Sequence, residues 1–189
     1  MIDRREVLAA GLTVSLLTCT KAVGAAGAAP RPTPLFVADE RFAEARAAAS
    51  AAARKGAAVH AISDDLTALY DRLDRAWREH PFPVAGLTTS SALFVIERLA
   101  ADRGSRTVYR GIHRRGADGR LVHEASGAPT VPAEVLATAG WTEALGMSLV
   151  DFPLAATSLE PLPMLAPPGP DGSVLVSWLL APRRGGTAF

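Results

Sequence analysis

Leu35-Phe36-Val37-Ala38-Asp39, an alanine-dominated stretch over residues 41–55, and then Ala57-Ala58-Val59-His60-Ala61-Ile62 decide the fold. A short apolar run ending at an acid predicts a buried strand over 35–38. The next residues, with Phe42 as the one large apolar side chain among alanines, predict a helix that Gly56 terminates. A second apolar run predicts another strand over 57–62.

The unit recurs. Asp64 or Asp65 supplies a turn and a cap, and residues 66–79 place Leu66, Leu69, Tyr70, Leu73, Ala76 and Trp77 on one helical face with Asp71, Arg72, Asp74, Arg75 and Arg78 opposite. Pro81 prevents continuation. A third pass predicts a strand over 83–86, a polar helix entry at Thr88-Thr89-Ser90-Ser91, and a helix over 92–102 that turns Leu93, Ile96 and Leu99 inward. Gly104 ends it, and 106–113 reads as a fourth strand.

Strands that alternate with helices need crossover connections, which bring parallel strands together and lay helices on the sheet. The expectation is a small Rossmann-like three-layer α/β domain with a mainly parallel sheet of about five strands. After His113 the pattern changes. Ala117-Asp118-Gly119-Arg120 is a turn signal joining 108–114 to 120–124 as a β-hairpin excursion. A short helix is expected over 132–139, and the proline-bearing stretch over 151–172 reads as a long irregular connection or flap. Residues 174–181 form a nearly continuous apolar strand, expected antiparallel at an edge of the sheet.

Upstream, Asp3-Arg4-Arg5-Glu6-Val7-Leu8 leads into a modest apolar stretch over 7–20 and then into Ala- and Gly-rich sequence ending at Pro30. Paired arginines with a leucine three residues on, Lys21 just past the apolar run, and small residues at 23–28 resemble the signal peptides of the twin-arginine (Tat) pathway. The resemblance covers residues 1–29 only. It implies that Arg4 and Arg5 engage the Tat translocase and that the chain is cleaved between Ala26 and Pro30. The mature protein would then be periplasmic, with a proline-rich linker over 30–34 and one α/β domain over 35–189. The apolar run falls short of the roughly 20 residues of a membrane span. Leu16-Leu17-Thr18-Cys19 offers lipidation at Cys19 as a lesser alternative.

Cleavage at that point leaves 17 basic and 17 acidic residues. A neutral domain without a basic block has no electrostatic grip on a phosphate backbone or an anionic bilayer, so neither nucleic acid nor membrane is an expected partner after cleavage. The only cysteine, Cys19, leaves with the leader. The mature chain therefore has no thiolate for a disulfide, an iron–sulfur cluster or a thioether-linked haem. No cofactor is specified, and the routes open to a folded Tat passenger are a non-covalent cofactor, a cofactor-bearing partner, or fast folding alone.

In open α/β sheets ligands collect beyond the carboxyl ends of the strands. The candidate ligand-binding residues are Asp39 and Arg41 after the first strand, Ser63 and Asp64 after the second, and Thr88, Thr89 and Ser90 after the third, with Arg110 covering the rim. Hydroxyls at a helix start can hold an anion, and they also serve as ordinary caps. His113 and His123 fall on the two arms of the hairpin, where one register brings a contact with Glu124. His60 reads as a core histidine. No zinc-type histidine pair, G-x-G-x-x-G or P-loop occurs, and neither a catalytic nor a metal-binding set is expected. Three functions fit: an exported accessory or ligand-binding protein with a possible periplasmic protein partner, the small subunit of a cofactor-containing oxidoreductase, or a small hydrolase or transferase using residues 88–91.

Overall fold

Apolar side chains on both sides of a strand require cover on both faces, and the chain supplies it with helices on each side of one six-stranded sheet. The computed structural model describes residues 34–115, 121–128, 131–152, 160–164 and 174–183. In chain order these form β1 (Leu35–Asp39), α1 (Ala43–Arg54), β2 (Ala58–Ile62), α2 (Thr67–Glu79), β3 (Val84–Thr89) and α3 (Ser90–Asp102). They continue as β4 (Ser105–Arg115), β5 (Leu121–Gly127), α4 (Ala133–Leu136), α5 (Trp141–Asp151) and β6 (Leu175–Pro182). The leader, the hairpin turn at 117–120 and most of the proline-bearing connection lie outside the described residues.

The strand order is β2-β1-β3-β6-β4-β5. β1 pairs in parallel with β2 and β3, whereas β3 with β6, β6 with β4, and β4 with β5 are antiparallel. The sheet is therefore mixed, with antiparallel pairs in the majority, and the expected mainly parallel arrangement is corrected. The cause is β6. It lies antiparallel as expected but in the middle of the sheet, between β3 and β4, which run in the same direction and are kept from pairing. Every residue of β6 from Leu175 to Ala181 is buried, as a strand covered on both faces must be.

On one face α1 and α5 cover Phe36, Ala38, Ala85, Leu87, Tyr109, Leu175 and Leu179. On the other, α2 and α3 cover Leu35, Val37, Val84, Val176, Trp178 and Leu180. Each fully buried leucine here contributes about 1.5–3 kcal/mol. The alanines that make α1 smooth serve its contact with α5 as well as with the sheet. A Cβ added at Gly146 would collide with the Ala48 carbonyl, so the two helices touch at backbone distance. That α5 is a helix departs from the sequence expectation, which placed no element between 140 and 151. Trp141, Leu145 and Leu149, four residues apart and all buried, are the pattern that reveals it.

At the third crossover the strand runs further than expected, so that Thr88 and Thr89 belong to β3 and α3 begins at Ser90. Thr89 is the N-cap, accepting from the Ala92 amide at 3.3 Å. A bulge between Thr107 and Tyr109 turns both Val108 and Tyr109 toward the α1/α5 side. Beyond the end of β5, the segment 160–164 continues along β4: the Leu162 amide donates to the Thr107 carbonyl at 2.9 Å.

Candidate functional site

β1 sends its connection out through α1 on one face, and β3 sends its own through α3 on the other. The adjacent carboxyl ends of these two strands form the switch point where an open sheet offers a crevice. Asp39, fully buried, closes it from below. The Arg41 amide and Nε donate to Asp39 Oδ1 at 3.2 and 2.9 Å, and Arg41 Nη2 donates to Oδ2 at 2.7 Å. Arg41 Nη1 also pairs with the exposed Asp64. The expected convergence of Asp39, Arg41 and Asp64 is thus real, with the guanidinium held between two carboxylates. Ser63 is exposed beside them, as are Glu40 and Asp65, the latter accepting from the Thr67 amide at 2.8 Å. Four acids stand at this rim with two bases, since the Arg46 guanidinium donates to the Glu40 carbonyl.

The other candidates turn inward. Thr88 accepts from Trp178 Nε1 at 3.0 Å and donates to the Thr89 carbonyl at 3.2 Å, tying β3 to β6. Ser90 is half-buried, and its amide donates to the Val174 carbonyl at 3.0 Å. Arg110 does not cover the rim formed by β1–β3. Its Nη2 bridges the buried Glu97 carboxylate at 2.6 Å and the Pro163 carbonyl at 2.9 Å, so it anchors the 160–164 segment to α3. Glu97 also accepts from the Thr107 hydroxyl.

A second polar group lies on the opposite face, under α5. Three neighbouring strands, β6, β4 and β5, present Ser177, His113 and His123 in one line. His113 stands directly opposite His123 in the ladder, while Glu124 faces Ile112 and pairs with Arg114, so the expected contact of a histidine with Glu124 gives way to a histidine pair. Ser177 Oγ lies 2.7 Å from His113 Nε2, and His113 Nδ1 lies 2.7 Å from His123 Nδ1. Tyr109 places its hydroxyl 3.4 Å from Ser177 Oγ. The Trp141 indole packs on both imidazoles, with ring centroids 4.6 and 4.8 Å away. Ser177 is 0% exposed, His113 3% and Trp141 6%.

The missing side chain of Gly111 leaves room for this group. A Cβ there would stand 2.5 Å from Ser177 Oγ and 2.8 Å from the Tyr109 hydroxyl. Burial, reinforced by the neighbouring His123, pushes the His113 ring down to about 3. His123 is lowered as well, by burial, against a backbone hydrogen bond at Leu136 that raises it. Burial raises the Tyr109 phenol, opposed by its bond to Ser177. At neutral pH both rings are uncharged.

Ser177 has three groups in reach: His113 Nε2 at 2.7 Å, and the Tyr109 hydroxyl and the Gly111 carbonyl, each at 3.4 Å. A neutral imidazole carries one proton, so when the proton between the rings sits on His113 Nδ1, the Nε2 of that ring accepts from Ser177. His113 and His123 were visible in the sequence as a hairpin pair; Ser177, Tyr109, Gly111 and Trp141 were not singled out as site residues.

Among the described residues no cluster of three or more histidine, cysteine or acidic side chains is placed to hold a metal ion, and no helix is long and apolar enough to cross a membrane. No family model, curated protein or solved structure matches this chain.

Proposed function

We propose that the protein is an exported periplasmic accessory protein that acts by binding, and that its binding surface is the rim at the ends of β1, β2 and β3. One observation carries the reading: the charge balance of that rim. Asp39, Glu40, Asp64 and Asp65 outnumber Arg41 and Arg46; Arg41 is already held by two of the acids, and Arg46 is turned to the Glu40 carbonyl. An anionic ligand would meet net repulsion there, whereas a protein segment presenting positive charge would be complementary. The engagement of Thr88 with Trp178 and of Thr89 with the start of α3 gives both threonines a structural role, which argues against a hydrolase built on residues 88–91. The Tat-like leader supports the location, and Arg4 and Arg5 would carry recognition by the translocase.

The test is native purification of the full chain from the envelope fraction, followed by mass spectrometry of what remains bound. A co-purifying polypeptide is expected, released by raising the salt and no longer retained by Asp64→Lys, Asp65→Lys protein. A lone polypeptide with nothing bound would overturn the reading.

A further inference from the structure

We infer that Ser177 is a latent nucleophile, activated by His113 and oriented through His123, that reacts with carboxylic esters and with phosphonyl electrophiles that mimic them. This goes beyond the binding role and does not depend on it. The geometry has two parts that an activated serine requires: a hydroxyl 2.7 Å from an imidazole nitrogen, and the opposite nitrogen of the same ring 2.7 Å from a third group. A second observation is independent of the rings. Glycine inside a strand costs roughly 0.5–1 kcal/mol relative to alanine, yet Gly111 stands where any Cβ would fill the space beside Oγ.

The reaction would proceed as follows. Ser177 Oγ bonds to the ester carbonyl carbon while its proton passes to His113 Nε2. His113 returns that proton to the leaving alkoxide as the ester C–O bond breaks, giving an alcohol and an acyl-Ser177. Water then attacks the acyl carbon, gives a proton to His113 Nε2, and releases the carboxylic acid as Ser177 recovers its proton. His123 brings no negative charge to stabilise the His113 imidazolium, so the chemistry is slow compared with that of a carboxylate-supported triad. Trp141 packs over the imidazoles, so an ester would reach Ser177 only with that indole displaced.

The experiment is covalent labelling of the full chain with a fluorophosphonate, with the modified residue located by peptide mass spectrometry. Folded protein should be labelled at Ser177, with Trp141→Ala faster than wild type by tenfold or more, and Trp141→Phe serving should the alanine variant not fold. Ser177→Ala should remove the label, and His113→Gln should reduce it at least a hundredfold. His123 is a positioning residue whose charge depresses His113. His123→Leu should therefore move the acid limb of labelling to higher pH while the acid unfolding midpoint of the same protein, followed by circular dichroism, stays below that limb. Absence of label in wild type and in the folded position-141 variant overturns the inference. So does label at another residue, label unaffected by His113→Gln, or label that persists in concentrated urea.

Discussion

At the scale of single residues, burial decides what His113 does to stability. Its native ring titrates near 3 because the charged form is poorly solvated under Trp141, whereas in the unfolded chain it titrates near 6.5. As pH falls, the unfolded chain takes up the proton first. The stabilisation is therefore complete above about pH 6.5 and is lost progressively as pH drops toward about 3. Urea midpoints measured across this range should fall for wild type and fall less for His113→Gln. An equal fall in both would assign the slope to carboxylates instead. Gly111→Ala should cost about 1–3 kcal/mol by overpacking, read from the same urea curves, because its methyl meets Ser177 Oγ and the Tyr109 hydroxyl. His113 and His123 are legible in sequence because a turn signal sets them on two arms of a hairpin. A serine within Leu175-Val176-Ser177-Trp178 carries no such signal until β6 is known to lie beside β4.

At the scale of elements, two threonines that look alike in sequence do different work. Thr89 caps α3, and Thr89→Ala should cost about 0.5–2 kcal/mol. Thr88 holds the buried Trp178 N–H, so the isosteric Thr88→Val leaves a donor without an acceptor and should cost about 1–3 kcal/mol. Thermal or urea unfolding of the two variants checks both values. The reading of α1, α2 and α3 from periodicity and glycine stops held to within a few residues, since those signals are local. α5 escaped because Gly140 and Gly146 punctuate a stretch whose helical character comes from packing. Gly146 is there so that α1 can approach, a reason that exists only once the two helices meet. Gly146→Ala should lower the unfolding midpoint in urea, because its methyl meets the Ala48 carbonyl, which belongs to backbone and cannot swing aside.

At the scale of the whole molecule, the repeated strand–helix units announce an α/β protein with helices on both faces, and that much was legible. The order of strands was not, because it depends on where one distant strand inserts. The continuous apolar run of β6 did hold a clue: a strand buried on both faces does not belong at an edge. Ending the chain after residue 173 should abolish cooperative unfolding, since β3 and β4 would each lose their shared neighbour. Circular dichroism during a urea titration would show a gradual change in place of a sigmoid.

The position of β6 also sets a timetable. Trp178 meets Thr88 across 90 residues of chain, and among the described residues β6 alone joins β3 to β4. Until Leu175–Pro182 has been made, β2-β1-β3 and β4-β5 lack the strand that joins them. The sheet closes only once β6 is available, and every step that acts on the closed form waits for that moment.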